Sequence, residues 1–136
     1  MSDRIHPAIA AVLPPIRAHL IAGVLAFVRA SSGLPGVTRI ALIGSLTTEK
    51  SDPKDADVLV SVTDDADLTL LAAQGRKLLG HAQSRYRGAD VFLANPDGDY
   101  LGRLCRWRRC GPGIRASCDA LHCGRRLYLH DDLDAI

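Results

Sequence analysis

A chain of 136 residues is long enough for one compact domain that buries roughly two thirds of the surface its unfolded form exposes. Apolar residues make up 47% of the sequence and charged residues 24%, proportions that exclude an intrinsically disordered chain. The longest apolar run, Leu20 to Val28, is shorter than the roughly 20 residues needed to cross a bilayer, and the first residues lack the layout of a secretory leader. We therefore predict a cytoplasmic protein without a membrane partner.

The net charge of +2 hides an uneven distribution of charge along the chain. Residues 46–99 contain ten acidic and six basic side chains, whereas residues 100–126 contain seven arginines and one acidic residue. Arginine accounts for 14 of the 17 basic residues, and its planar guanidinium suits phosphate better than the point charge of lysine. The arginines interleave with Trp107, which is available for base stacking, so this segment is either a phosphate-binding surface or a solvated face.

Hydrophobic periodicity and turn residues predict five regular elements before residue 100. Apolar residues at helical spacing follow Pro15, and two β-branched runs flank a polar stretch that contains Pro53. In chain order we predict a helix over 15–30, strands over 37–43 and 56–62, a helix capped by Asp64 or Asp65 that ends near His81, and a strand over 89–93.

Beyond Asn95-Pro96-Asp97-Gly98 the composition changes to arginine, cysteine and glycine, and only residues 127–130 resemble another strand. We expect one domain over residues 1–136, with its core at about 15–93 and an irregular segment rich in arginine and cysteine at about 100–136. The order of elements predicts the α+β class, with a small mixed sheet and its helices on one face.

Two aspartates stand at the start of the second predicted strand. Because side chains alternate along a strand, Asp55 and Asp57 point to one side and Ala56 points to the other. Carboxylates this close repel each other, and a shared Mg²⁺ or Mn²⁺ ion would remove that repulsion because both ions prefer oxygen ligands. The alternative is that both side chains merely solvate the entrance of the strand.

Three further residues accompany this pair. Gly44 and Ser45 end the first predicted strand, where a glycine lets backbone N–H groups approach an anion and a serine hydroxyl can donate to a phosphate oxygen. Asp90 lies inside the apolar run of the third predicted strand. A lone carboxylate there is costly unless a cation or a hydrogen-bond donor meets it.

Together these residues resemble the nucleotidyltransferase superfamily of DNA polymerase beta-like fold, in its minimal single-domain form. The resemblance covers about residues 37–93 and consists of Gly44-Ser45, nine intervening residues, Asp55-x-Asp57 and the later Asp90. It implies transfer of a nucleoside monophosphate from an NTP, with ATP as the first candidate, to a hydroxyl of a protein, an RNA or a small molecule, with release of pyrophosphate.

The resemblance also implies roles for individual residues. Gly44 and Ser45 would hold the triphosphate, while Asp55, Asp57 and Asp90 would bind Mg²⁺ or Mn²⁺, with Asp90 beside the attacking hydroxyl. Many relatives have a basic residue soon after Gly-Ser, but here the first is Lys50. Phosphate binding would then depend on Lys50, on Lys54 or on an arginine from elsewhere.

All four cysteines lie in the arginine-rich segment, in a pattern of C-x4-C, seven residues and C-x4-C. Such thiolates can build a tetrahedral zinc site, with His122 as a substitute ligand. The candidate ligands are Cys105, Cys110, Cys118 and Cys123. The alternative is four reduced cysteines that serve as small buried apolar residues.

Two other functions are compatible with the sequence. Minimal nucleotidyltransferase-like proteins also serve as antitoxins, so the chain is alternatively a non-catalytic partner that binds a toxin. A third hypothesis is a nucleic-acid-binding module organised by zinc, in which the carboxylates are inert.

Overall fold

The computed structural model describes residues 14–49, 52–108 and 126–130. The described elements are, in chain order, α1 (Ile16–Ser31), β1 (Val37–Ile43), a 3-10 turn (Gly44–Thr47), β2 (Asp55–Val62), α2 (Thr69–Gln83), β3 (Gly88–Ala94), β4 (Tyr100–Leu104) and β5 (Leu129–His130). The five predicted helices and strands are all present, which confirms the predicted α+β class.

The five described strands form one mixed sheet in the spatial order β1-β2-β3-β4-β5. β2 and β3 run parallel and are joined through α2, whereas the other three neighbouring pairs are antiparallel. In this register Asp57 lies between Ile43 of β1 and Asp90 of β3. The topology therefore brings two of the predicted site residues side by side, although 33 positions separate them in sequence.

The core lies on one face of the sheet. Along β2 the buried residues Ala56, Val58, Val60 and Val62 alternate with more exposed ones, and β3 repeats the pattern. Both helices contribute to the same hydrophobic cluster, through Leu20 and Phe27 of α1 and Leu71 and Leu78 of α2 among others. Since only one face of these strands is buried, both helices pack against that face. We call the opposite side, which carries Asp55, Asp57, Asp90 and Phe92, the open face.

The two helices meet through a pair of histidine rings. His19 and His81 stack with ring centroids 3.9 Å apart and planes 9° from parallel. Each ring Nε2 donates to the backbone carbonyl of the other histidine, at 2.8 and 2.7 Å. A Cβ atom on Gly23 of α1 would lie 2.5 Å from the His81 ring, so the glycine makes room for this contact.

The predicted start of α2 is wrong. The helix begins at Thr69, and the carboxylate of Asp67 accepts hydrogen bonds from the Thr69 N–H and hydroxyl. These hydrogen bonds also lower the pKa of Asp67. Asp65 instead accepts a hydrogen bond from the Thr63 hydroxyl within the turn that leaves β2. An aspartate that is occupied by a local turn cannot cap a helix four residues later.

The segment predicted to be irregular from about residue 100 contains a strand that sequence reasoning missed. Asn95 and Asp99 close a hairpin between β3 and β4, in which the Asn95 side chain accepts from the N–H groups of Asp97 and Asp99. The change of composition at residue 95 therefore marks a turn, and the sheet continues after it. β5 lies inside the strand predicted over 127–130, while residues 109–125 lie outside the described part of the chain.

Within the described ranges, neither helix combines the length and the apolar character that a transmembrane span requires.

Candidate active site

The sheet brings the three predicted aspartates together on the open face. Asp57 and Asp90 are register partners on neighbouring parallel strands, about 4.8 Å apart in the hydrogen-bonding direction. The Asp90 N–H donates to Asp57 Oδ1 at 3.2 Å. Asp55 pairs with Gly88, and a Cβ atom on that glycine would lie 2.6 Å from Asp55 Oδ1. The Asp55 carboxylate therefore lies over Gly88, on the β3 side of its own strand.

The end of β1 closes the other side of the site. Gly44 has a φ of +76°, a conformation that residues with a side chain rarely adopt. A Cβ atom on Gly44 would lie 3.0 Å from Asp57 Oδ2, so the backbone approaches this carboxylate closely. The Ser45 hydroxyl donates to the backbone carbonyl of Asp55 at 3.4 Å. The predicted phosphate-binding residues thus lie directly beside the predicted metal-binding ones.

Asp57 is the electrostatic centre of the cluster. Partial burial, followed by the negative charges of Asp55 and Asp90, raises the pKa of the Asp57 carboxyl to about 6. The hydrogen bond from the Asp90 N–H acts in the opposite direction but is the weaker influence. A cation that bound beside Asp57 would offset all three unfavourable contributions to its ionised form.

Asp90 has a cationic partner that sequence reasoning missed. Arg106, two residues after β4, places its guanidinium Nη2 2.6 Å from Asp90 Oδ1. Both side chains are partly exposed, at 48% for Arg106 and 32% for Asp90. The sequence predicts that Asp90 needs a cation or a donor, but only the β3-β4 hairpin identifies this arginine among the seven in its segment.

The chemistry of the three carboxylates fits a hard divalent cation such as Mg²⁺ or Mn²⁺. In the conformation described, however, no three His, Cys, Asp or Glu side chains of the described ranges are arranged to hold a metal ion. The Asp90–Arg106 ion pair is consistent with this, because the guanidinium already occupies one oxygen of the third carboxylate. A metal ion held by all three residues would bind the other Asp90 oxygen, or would bind Oδ1 after Arg106 releases it.

Two other predicted sites have different surroundings. Lys54, predicted to contact the nucleotide, forms an ion pair with Asp52 at 3.1 Å on the surface. Cys105 is buried, and its Sγ accepts a hydrogen bond from the Trp107 N–H. The zinc site stays a prediction, because its other predicted ligands lie outside the described residues. These are Cys110, Cys118 and Cys123, with His122 as the substitute.

Comparisons of the chain with protein-family models, with curated proteins and with solved structures find no match. The function of the chain therefore has to be inferred from its own side chains. The relevant ones meet at one edge of the sheet, where the end of β1 lies beside the beginnings of β2 and β3.

Proposed function

We propose that the chain is a metal-dependent nucleotidyltransferase that moves a nucleoside monophosphate from an NTP to an acceptor hydroxyl. The observation that carries this proposal is the crowding of Asp55 and Asp90 around Asp57, next to Gly44 and Ser45. A fold that brings three carboxylates together raises its own electrostatic energy, which the Asp90–Arg106 ion pair offsets only in part. Such an arrangement is typical of a site that binds cations, and carboxylates with shifted pKa values are common at functional sites.

Each residue has a role in the proposed reaction. Asp55, Asp57 and Asp90 would hold Mg²⁺ or Mn²⁺, which when bound neutralises the charge that builds up on the attacking and leaving oxygens. Gly44 would let the backbone approach the triphosphate, and the Ser45 hydroxyl, which donates to the Asp55 carbonyl in the structure, would turn to donate to a phosphate oxygen. The acceptor oxygen forms a bond to the α-phosphorus as the bond to the β-phosphate oxygen breaks. Pyrophosphate leaves, and the hydroxyl proton passes to water.

The test compares two aspartate-to-asparagine variants that make the same chemical change at different places. Asp57→Asn removes the central carboxylate, whereas Asp97→Asn removes an exposed one in the β3-β4 hairpin. Each protein is incubated with Mg²⁺ or Mn²⁺, cell extract and each labelled NTP in turn. We expect Asp57→Asn to lower transfer of label at least about a hundredfold and Asp97→Asn to leave it unchanged. Equal labelling by the wild type and Asp57→Asn would contradict the proposal.

The Asp90–Arg106 ion pair favours a second candidate, a non-catalytic antitoxin-like partner protein, because it satisfies the third carboxylate without a metal. In that case the wild type transfers no label with any NTP. A small protein would then copurify with the wild type and with Asp57→Asn in equal amounts.

A further inference from the structure

A cavity of about 220 Å³ opens around the end of β4, and its lining includes Arg106, the ion-pair partner of Asp90. The other residues that line it are Arg103, Leu104, Trp107 and His130. Arg103 stands between Phe92 and His130 in the register of the sheet, so the cavity adjoins the open face. Two guanidinium groups and an indole that is 46% exposed form a surface suited to a phosphate with an attached flat ring.

The order of strands fixes where this cavity lies relative to the proposed reaction. Gly44 follows β1, the central aspartates Asp55 and Asp57 lie on β2, and Asp90 lies on β3. The cavity begins at β4, on the opposite side of the carboxylates from Gly44. A donor triphosphate held at Gly44 therefore leaves the cavity to the second substrate.

We propose that this cavity binds a nucleotide unit of a single-stranded RNA acceptor, with a phosphate against Arg103 and Arg106 and a base stacked on Trp107. Its assignment to the acceptor rests on the proposed transfer reaction. The chemical class of this ligand follows from the lining of the cavity, because an acidic peptide would offer carboxylates to the arginines but no flat ring to the exposed indole.

The backbone that carries Trp107 is held in place from two sides. The Arg76 guanidinium of α2 donates to the Trp107 carbonyl at 2.8 Å, and the Trp107 N–H donates to Cys105 Sγ. The Tyr128 hydroxyl donates to the carbonyl of Arg108 at 2.9 Å. A ring on a fixed backbone loses little conformational freedom when a base stacks on it, which favours binding.

Arg106 connects the cavity to the carboxylates. A phosphate in the cavity competes with Asp90 for the guanidinium, and an arginine–phosphate pair has the geometry for two parallel hydrogen bonds. Transfer of Arg106 from Asp90 to the phosphate frees Oδ1 of the third carboxylate for a metal ion. Acceptor binding and completion of the metal site are thus coupled through one side chain.

Trp107 is the only tryptophan in the chain, so its fluorescence reports directly on the cavity. The titrations use the full chain in EDTA at low salt, with a single-stranded RNA hexanucleotide, a non-hydrolysable ATP analogue or an acidic peptide of matched charge. We expect the RNA to quench Trp107 emission, and Arg106→Gln to weaken RNA binding about tenfold. Arg29→Gln makes the same change on the exposed surface of α1, across the sheet, and is expected to bind like the wild type.

A second variant removes the stacking ring. Trp107→Leu, measured by the anisotropy of labelled RNA, is expected to bind about tenfold more weakly and to unfold at the wild-type temperature. Equal RNA affinity of Arg106→Gln and Arg29→Gln would overturn the proposal. So would equal quenching by the ATP analogue, which would assign the cavity to the donor, or binding of the peptide in place of RNA. The titrations contain no metal ion and measure binding alone. Their outcome is therefore separate from the labelling test, in which Asp57→Asn is expected to lower nucleotide transfer.

Discussion

Asp57 is half-buried between two other carboxylates, and this position raises its pKa from 3.8 to about 6. Asp55 and Asp90 cannot move away, because the register of β2 and β3 fixes all three residues on the open face. Without a cation, the folded protein therefore prefers Asp57 in its protonated form below about pH 6.

This preference makes the contribution of Asp57 to stability depend on pH. Between about pH 4 and pH 6 the folded chain binds a proton at Asp57 that the unfolded chain has lost, so the free energy of unfolding falls as the pH rises. The shift corresponds to about 3 kcal/mol at most, and solvent screening reduces it to about 1–2 kcal/mol. Above about pH 6 this stabilisation is absent.

Asp57→Asn isolates this contribution, because asparagine has the same shape and stays neutral. In metal-free urea unfolding at pH 8 we expect the variant to be more stable than the wild type by about 1–2 kcal/mol. At pH 4 the two proteins are expected to be equally stable, since wild-type Asp57 is then protonated. A difference in stability that is the same at both pH values would show that repulsion among the carboxylates is not its cause.

At the scale of the elements, the strands that surround the site are predictable from the sequence and their neighbour β4 is not. β1 covers the residues predicted for it. β2 begins one residue earlier than predicted, and β3 is one residue longer than predicted at each end. The buried residues of β2 and β3 alternate with more exposed ones, so periodicity reports their burial directly. In β1, Val37 and Ile40 pack against the core while only partly buried. In β4, Tyr100 and Leu101 are followed by Gly102 and Arg103, and this mixed composition hides the strand.

The contact between the helices gives a matched pair of glycine-to-alanine variants. Gly80 of α2 has open space around its Cβ position, so Gly80→Ala is expected to raise the free energy of unfolding by about 0.5–1 kcal/mol through helix propensity. Gly23→Ala gains the same propensity but places a methyl group against the His81 ring. We expect it to lower the free energy of unfolding by about 1–3 kcal/mol.

Urea unfolding of both variants at neutral pH measures the two effects. A stabilising Gly23→Ala would contradict the stacking of His19 on His81 as the contact that determines how closely the helices pack.

At the scale of the whole molecule, the sequence predicts only the part of the candidate site whose residues are neighbours along the chain. One continuous stretch, residues 44–57, contains Gly44, Ser45, Asp55 and Asp57. Alternation along a strand already places the two aspartates on one side. The proximity of Asp90 requires the parallel pairing of β2 with β3. The ion pair with Arg106 requires in addition the hairpin to β4, which composition alone did not reveal.

The proposed function requires that Asp57 and its two neighbouring carboxylates bind a divalent cation. Its most direct test is the binding of Mn²⁺, followed by electron paramagnetic resonance at pH 8 in the presence of a non-hydrolysable ATP analogue. Wild type and Asp97→Asn are expected to bind Mn²⁺ at least about tenfold more tightly than Asp57→Asn, because the variant lacks the central oxygen ligand. Equal Mn²⁺ affinity of the wild type and Asp57→Asn would contradict this requirement.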